Sequence, residues 1–183
     1  MVVEEFEDSL QRLHRTADEI EAAVMTPGRQ DAVRWAQGLT IFPSIEPILV
    51  NLQREISVDF VGLTLMSDTH NIFVVSTISQ EPCVREDSHC QQVVGSGEPL
   101  AIRDARSSRI QRLMPRAFAT QEMVKAYLGV PLSGHDQVLG SLCAVNLDGP
   151  RDWAQHDIDR MKEVSAQITS MLHRASPVEG FTS

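Results

Sequence analysis

Apolar residues alternate with polar or small ones most regularly over Lys125–Asn146, in two runs separated by a polar segment at Ser133–Gln137. In a β-strand, successive side chains point to opposite faces, so a period of two predicts strands. Gly134 and Asp136 are residue types that tight turns favour. The segment therefore predicts a β-hairpin with one strand on each side of the turn.

One face of the predicted hairpin is uneven. Pairing Leu132 with Val138 places six residues on it: Tyr127, Gly129 and Pro131 from the first strand, and Leu139, Ser141 and Cys143 from the second. In this register the small residues Gly129 and Ser141 lie opposite each other. Two interpretations stay open: Gly129 marks strand bending or a close backbone approach, or the two small residues form the floor of a pocket.

The same periodicities predict the other elements. Strands are expected at Asp59–Ser67, Ile72–Thr77 and Leu100–Arg103, and helices at Ile45–Ile56, Cys90–Gly95 and Asp152–Arg174. Ser79–Ser88 is expected to be a polar loop, and Asp152 is expected to cap the last helix. The strands should form one antiparallel sheet. The first and last of these helices should share one face, and Arg106–Lys125 should cover the other.

An amphipathic helix is predicted at Glu4–Val24. Its apolar positions follow a heptad spacing: Phe6, Leu10, Leu13, Ala17, Ile20 and Val24. The stripe predicts either packing on the chain's own domain or contact with the same helix of a second chain. The expected division is an N-terminal helix at residues 1–26, a linker at 27–42, one domain at 43–175 and a disordered tail at 176–183.

Charge and cysteine content narrow the classes of function. The 183 residues include 16 Lys and Arg against 25 Asp and Glu, a net charge of −9 with a pI near 5.1. Nucleic-acid binding relies on clustered positive charge, so this balance argues against it. Three cysteines without CxxC or Cys/His spacing indicate neither a disulfide framework nor a metal site. No segment resembles a membrane span or a secretory leader, so we expect no membrane contact and a cytoplasmic location.

Several short motifs resemble the GAF domain family. They are, in chain order, Asp87–Cys90 (DSHC), Gly97–Leu100 (GEPL), Arg103–Ala105 (RDA), Tyr127–Leu132 (YLGVPL), Val138–Asn146 (VLGSLCAVN) and Pro150–Trp153 (PRDW). The resemblance implies an α+β fold, with an antiparallel sheet, helices on both faces and long terminal helices. It also implies a small-molecule or regulatory role. Terminal helices often form the dimer interface in this family, which favours a homodimer through Glu4–Val24.

The motif of cyclic-nucleotide-binding relatives is incomplete here. Those relatives carry Asn-Lys, then Phe, then Asp-Glu. In this chain Asn146 is followed by Leu147, Trp153 stands in place of the Phe, and Asp157 is followed by Ile158. The Lys of a Lys–Asp contact is therefore missing, because Leu147 stands in its place. Asn146, Trp153 and Asp157 are expected to be structural.

Haem and bilin motifs also depart from the family patterns. Haem-binding relatives present a His in the segment that here is Ala117–Lys125, which contains none. His89 is the other candidate iron ligand, because neutral imidazole is a good donor. Bilin-binding relatives hold a Cys followed by His in the lid region, whereas this chain has His89 before Cys90 on an earlier helix. The cofactor stays unassigned.

The resemblance also raises an enzymatic alternative. Free methionine-sulfoxide reductases of this family use a cysteine near the entry to the hairpin, but Gln111–Tyr127 contains none. Attack on the sulfoxide needs an accessible thiolate. Cys83 and Cys90, seven residues apart, form a candidate redox pair, whereas Cys143 is expected to be a small core residue. We expect no catalytic activity and no metal.

The candidate site is a mostly apolar pocket between the hairpin and the segment Arg106–Lys125, which we call the lid. Its expected lining is Phe73, Val75, Tyr127, Gly129, Ser141 and Cys143 on the sheet, with Leu113, Met114 and Phe118 on the lid. Arg109 or Arg112 is expected near the mouth as an anion contact. In the alternative, Tyr127 fills the space left by Gly129 and Ser141, and the core is solid.

Two functions remain open from the sequence. The first is a sensory domain that binds a small, mostly apolar ligand and signals through dimer helices to a partner protein. The second is a ligand-free dimerisation or partner-docking module. Haem sensing and redox sensing are further alternatives. The 183 residues include no recognisable kinase, cyclase or DNA-binding segment, so output would require another protein.

Overall fold

The structure is a computed structural model, and it describes residues 36, 39–78, 82–85, 88–106, 124–134 and 137–175. These residues contain three helices: α1 (Phe42–Glu55), α2 (Cys90–Ser96) and α3 (Gln155–Arg174). The strands are β1 (Phe60–Met66), β2 (His70–Ser76), β3 (Cys83–Val84), β4 (Leu100–Ile102), β5 (Ala126–Gly134) and β6 (Gln137–Asn146). The expected α+β class is confirmed.

The six strands form one sheet in the order β3-β2-β1-β6-β5-β4. Every neighbouring pair is antiparallel, as the sequence predicts. The β5–β6 hairpin lies inside the sheet, because β1 pairs with β6 and β4 pairs with β5. Strands β1, β5 and β6 are consequently covered on both faces, which accounts for their nearly continuous apolar sequences.

Helices α1 and α3 pack side by side on one face, which we call the helix-pair side. The buried core there includes Ile45, Leu49 and Leu52 from α1, Met161, Val164, Ile168 and Leu172 from α3, and Val61, Leu63, Leu65, Leu128, Val130, Leu132, Leu139, Leu142 and Ala144 from the sheet. The prediction that both helices share one face is confirmed. This core is mainly hydrocarbon.

Helix α2 packs on the opposite face, the α2 side. Its buried cluster includes Phe60, Met66, Cys90, Val93, Val94, Tyr127, Cys143 and Val145. The helix ends at Gly97, whose φ of 68° lies in the left-handed region that glycine adopts without strain. Helices therefore lie on both faces of the sheet.

A β-bulge in the hairpin corrects the predicted register. Ser133 pairs with Val138 and Leu132 with Gly140, so Leu139 is an extra residue in β6. The expected pairing of Leu132 with Val138 is wrong. Leu139 packs in the core of the helix-pair side instead of sharing a face with Ser141, because a bulge changes the side-chain alternation by one residue.

The same bulge changes which residues face each other across the hairpin. Gly129 lies opposite Cys143, and Pro131 lies opposite Ser141. The expected direct pairing of Gly129 with Ser141 is therefore wrong by two residues. Because two residues is one full strand period, Gly129, Ser141 and Cys143 still share a face.

A second irregularity separates two predicted pocket residues. Leu63 pairs with Val75 and Thr64 with Phe73, so Val74 is extra in β2. Phe73 packs on the α2 side, whereas Val75 packs against the core of the helix-pair side. The expectation that Val75 extends the wall formed by Phe73 is wrong for this reason.

Helix α3 begins later than predicted. Its first residue is Gln155, and the N–H of Ala154 donates to the carboxylate of Asp157 at 3.2 Å. Asp152 does not cap the helix, because the N-cap position is Ala154, two residues later. Its carboxylate instead accepts a hydrogen bond from Arg103 Nε at 2.5 Å.

Arg151 connects the end of α1 to the start of α3. Its guanidinium donates to the carbonyls of Ser57 at 2.7 Å and Ile56 at 2.5 Å, and to Asp157 at 3.2 Å. It also lies 4.7 Å from the centre of the Trp153 ring. Asp157 and Trp153 thus have structural contacts, in agreement with the sequence interpretation.

Strand β3 is a short edge strand inside the segment predicted as a polar loop, and it pairs with His70 and Asn71 of β2. The predicted helix Glu4–Val24, the lid core at residues 107–123 and the tail at 176–183 lie outside the described residues. Most of the linker at 27–42 does as well. Within the described ranges, no helix is both long and apolar enough to cross a membrane.

Gly140 provides a test of the sheet register. A Cβ at this position would lie 1.8 Å from the backbone carbonyl oxygen of Thr64, so Gly140→Ala must separate β1 from β6. We expect a loss of at least about 2 kcal/mol of unfolding free energy in urea titrations.

The matched control is Gly149→Ala, where an added Cβ meets no atom within 4 Å. It should change stability by no more than about 0.5 kcal/mol. Equal urea midpoints for the two variants would contradict the observed β1–β6 register.

Candidate functional site

A small cavity of about 10 Å³ lies on the α2 side of the sheet. It is lined by Phe73, Ser88, His89, Cys90, Val124, Tyr127 and Cys143. Its volume is close to the minimum that accommodates one water molecule. The described residues therefore meet here around a space that is too small for an organic ligand in the observed arrangement.

Tyr127 explains why the cavity is small. A Cβ on Gly129 would lie 2.3 Å from Tyr127 Oη and 2.8 Å from Val93 Cγ2. The phenol ring therefore lies over the bare backbone of Gly129, where any larger residue would displace it. This arrangement agrees with the alternative in which Tyr127 fills the space beside Gly129.

Ser141 is held by the neighbouring strand. Its hydroxyl lies 3.1 Å from the Thr64 hydroxyl, and the Ser141 N–H donates to that same Thr64 oxygen at 3.3 Å. Both side chains are completely buried. A buried hydroxyl is unfavourable unless it is hydrogen-bonded, so this pair allows two polar residues in the middle of the sheet.

The thiols of Cys90 and Cys143 both line the cavity. Hydrogen bonding with Cys143, followed by that with the hydroxyls of Ser141, Ser88 and Tyr127, lowers the pKa of the Cys90 thiol to about 6, although burial opposes the shift. The bond to Cys90 and burial raise the pKa of Cys143 well above its ordinary value. Cys90 is therefore the thiol that ionises first.

The start of α2 positions Cys90. The Ser88 hydroxyl accepts the Cys90 N–H at 3.1 Å and a hydrogen bond from the Asn71 side-chain amide at 3.0 Å. The hydroxyl proton of Ser88 then remains for the Cys90 sulfur. Tyr127 Oη lies 3.4 Å from Cys90 Sγ and donates to it. Burial raises the pKa of Tyr127 well above its ordinary value, so the phenol keeps its proton.

His89 is a buried imidazole without a bonded partner at one nitrogen. It is 2% exposed, its ring centre lies 5.1 Å from that of Tyr127, and Nδ1 has no hydrogen-bond partner among the described residues. Burial lowers the pKa of His89 to about 4, so the ring is neutral at physiological pH. An unpartnered buried nitrogen beside a cavity is a feature that a polar atom of a ligand can satisfy.

The structure brings together only part of the predicted site. Phe73, Tyr127, Cys143 and Cys90 line the cavity, and Gly129 lies beneath the Tyr127 ring. The predicted lid and mouth residues Arg109, Arg112, Leu113, Met114 and Phe118 lie outside the described residues.

The remaining predicted residues lie elsewhere. Val75 is on the helix-pair side. Cys83 is on the edge strand β3, opposite Asn71. The thiol that shares the cavity with Cys90 is that of Cys143, not that of Cys83.

Sequence reasoning missed two lining residues, Ser88 and Val124, and the buried polar partner Thr64. Ser88 precedes a predicted helix by two positions, which is a signal for a capping role. Thr64 interrupts an apolar strand and faces the same side as Phe60 and Met66 at a period of two. A polar residue at such a position predicts a buried hydrogen bond.

The chemistry available at this site is limited by its composition. Within the described ranges, no three His, Cys, Asp or Glu residues are arranged to hold a metal ion. His89 is neutral and Tyr127 is protonated, so the lining favours neutral and apolar groups. Cys90 is the nucleophilic group.

Comparison with known proteins agrees with this geometry. The family profile described as GAF domain matches residues 43–172, whereas no curated protein matches the sequence. The fold is similar to the GAF domain of an Acinetobacter phosphoenolpyruvate-protein phosphotransferase, at 16% identity and a TM-score of 0.62. That similarity covers 81% of this chain and 95% of the other.

Two further solved structures are also similar. One is a type II free methionine-R-sulfoxide reductase from Thermoplasma acidophilum, at 12% identity and a TM-score of 0.60, covering 74% of this chain and 94% of the other. Another is a domain of a putative two-component sensor histidine kinase protein from Sinorhizobium meliloti 1021, at 17% identity and a TM-score of 0.56, covering 74% and 92%. At these identities the similarity concerns the fold.

The buried His89 predicts a specific pH dependence of stability. The unfolded imidazole takes up a proton near its ordinary pKa of 6.5, whereas the folded imidazole takes one up only near 4. Stability is therefore lost as the pH falls between these values. From about pH 7 to pH 5, wild type should lose roughly 2 kcal/mol more than His89→Gln in urea titrations.

His173→Gln, which changes an exposed imidazole on α3, is the matched control and should keep the wild-type pH dependence. The burial of His89 would be disproved by parallel stability curves for wild type and His89→Gln.

Proposed function

The chain belongs to the GAF domain family, and on this premise we propose that it is a sensory or regulatory domain that binds a small, mostly apolar ligand on the α2 side. The observation that supports this proposal most directly is that the Tyr127 ring, together with Val93 Cγ2, occupies the space over the bare backbone of Gly129. A ligand ring that displaces Tyr127 would occupy the same space. The phenol thus occupies, in the observed structure, the space that we propose for the ligand.

The composition of the two cores supports this choice of side. The helix-pair side is filled mainly by interlocking apolar side chains, and its buried Ser165 already donates to the Pro131 carbonyl at 2.6 Å. The α2 side holds a neutral imidazole with an unpartnered nitrogen, hydroxyl groups and sulfur atoms beside its cavity. An apolar site with a few polar groups is the usual composition of small-molecule sites.

The same lining favours a neutral ligand. His89 is uncharged at physiological pH, and Tyr127 stays protonated. A phosphate or carboxylate placed against these groups would lose its hydration without gaining a cation from the lining residues. We therefore propose a ligand with an aromatic or aliphatic body and at most one or two hydrogen-bonding atoms.

Binding, not catalysis, is the activity we propose. One structural neighbour is a free methionine-R-sulfoxide reductase, and such chemistry requires an accessible thiolate. Cys90 and Cys143 are 3% and 1% exposed, and residues 111–127 contain no cysteine. The burial of both thiols favours a regulatory domain over an enzyme of that kind.

Signalling through a homodimer is the second part of the proposal. It is supported by the unbroken heptad stripe of Glu4–Val24 and by the family resemblance. Leaving such a stripe in water would be unfavourable by roughly 1.5–3 kcal/mol for each large side chain. We propose that the dimer passes the ligand-bound state to a protein partner.

The ligand site can be tested with p-cresol, which is the side chain of tyrosine as a free molecule. Titration of reduced, isotope-labelled protein should shift the amide NMR signals of α2, β5 and the part of β6 near Cys143. Signals of α1 and α3 should stay in place. Ser141→Phe should remove these shifts, because its ring would extend into the space that p-cresol needs.

Ser170→Phe is the matched control, since Ser170 is exposed on α3, and it should respond to p-cresol as wild type does. Absence of p-cresol shifts in wild type, or shifts concentrated in α1 and α3, would overturn the proposed site even if Ser141→Phe failed to fold.

The dimer can be tested by sedimentation. Leu13→Asp with Ile20→Asp places two charges on the heptad stripe and should produce a monomer at micromolar concentrations. Gln11→Asp with Ala22→Asp adds the same number of charges at positions outside the stripe and should leave the dimer intact. A monomeric wild type would rule out this interface.

A further inference from the structure

Two cysteines far apart in sequence meet on the α2 side. Cys90 is the first residue of α2, and Cys143 lies on β6 opposite Gly129. Both residues line the same cavity, and all three cysteines of the chain are reduced. This pair joins a helix to the middle of the sheet, and the proposed ligand binding uses neither thiol as a reacting group.

The surroundings of the pair are more polar than packing requires. A cysteine used only as a small apolar residue needs no hydrogen-bond donors. Tyr127 Oη donates to the Cys90 sulfur at 3.4 Å, and hydrogen bonding with Cys143 and with the hydroxyls of Ser141 and Ser88 also lowers the pKa of Cys90. Several donors directed at one sulfur stabilise its thiolate, which is the nucleophilic form.

We propose that Cys90 and Cys143 form a reversible disulfide when hydrogen peroxide enters the cavity between them. The Cys90 thiolate attacks one peroxide oxygen, which yields a sulfenic acid and releases hydroxide. The Cys143 thiol then attacks the Cys90 sulfur, forming the S–S bond and releasing water. The peroxide accepts two electrons in total, and a dithiol reductant returns two electrons when it restores both thiols.

The buried position favours this product. A disulfide is neutral, so it leaves no charge in an environment that penalises charge. The cavity of about 10 Å³ that both sulfur atoms line limits the oxidant to the smallest molecules. Hydrogen peroxide should therefore oxidise the pair faster than oxidised glutathione, which is many times larger than the cavity.

The disulfide would act on the fold through α2. A covalent S–S bond would fix the first residue of the helix to β6 and close a loop that contains β4 and β5. A cross-link restricts the unfolded chain, so the oxidised protein should unfold at a higher urea concentration than the reduced protein.

Peptide mapping of the full chain tests the proposal without any substitution. Reduced protein is treated with hydrogen peroxide, blocked with an alkylating reagent after denaturation, digested and analysed by mass spectrometry. The expected result is a peptide pair joined through Cys90 and Cys143, lighter by two hydrogens than its reduced components and separated by dithiothreitol. Cross-links through Cys83, or no intramolecular cross-link at all, would overturn the proposal.

Substitutions then assign the order of attack. Cys143→Ser should leave a sulfenic acid at Cys90 that dimedone labels, whereas Cys90→Ser should show no dimedone labelling at Cys143. Cys83→Ser is the matched control and should form the disulfide at the wild-type rate. Because p-cresol binding is measured on reduced protein, failure of the ligand site and failure of the disulfide would be separate results.

Discussion

The fit of β6 between β1 and β5 is the constraint on which the rest of the structure depends. Gly140 is the tightest point, because even a methyl group there would overlap the Thr64 carbonyl. This contact fixes β6 against β1, and the β5–β6 pairing then fixes β5 and β4. Since side chains alternate along a strand, the same register decides which residues reach each core.

The register also separates two kinds of chemistry. The helix-pair side receives hydrocarbon and holds α1 and α3 by ordinary packing. The α2 side receives the sulfur atoms, the hydroxyls and the buried imidazole. Polar groups in a core are tolerated where they bond to each other, as Thr64 does with Ser141. One face thus stabilises the domain, while the other holds groups that can respond to a ligand or an oxidant.

Periodicity alone was enough to predict the sheet, the shared face of α1 and α3, and the common side of Tyr127, Gly129 and Cys143. It failed where one residue is inserted. The extra residues Val74 and Leu139 leave no mark in composition, since both are ordinary strand residues, yet each bulge moves its neighbours to the other face. The Cys90–Cys143 contact could not be predicted either, because it depends on where α2 lies on the sheet, which no local pattern encodes.

In the proposed site, the Tyr127 ring and a ligand compete for the same space over Gly129. With the Tyr127 ring over Gly129, its hydroxyl bonds to Cys90 and the cavity stays near the size of one water molecule. A ligand of the proposed kind must displace the ring, so its apparent affinity is its intrinsic affinity multiplied by the fraction of molecules in which Tyr127 already lies elsewhere. Movement of Tyr127 would also remove one donor from Cys90 and weaken the preference of that sulfur for the thiolate. The proposed ligand would therefore slow the proposed oxidation of Cys90, and both effects would pass through one side chain.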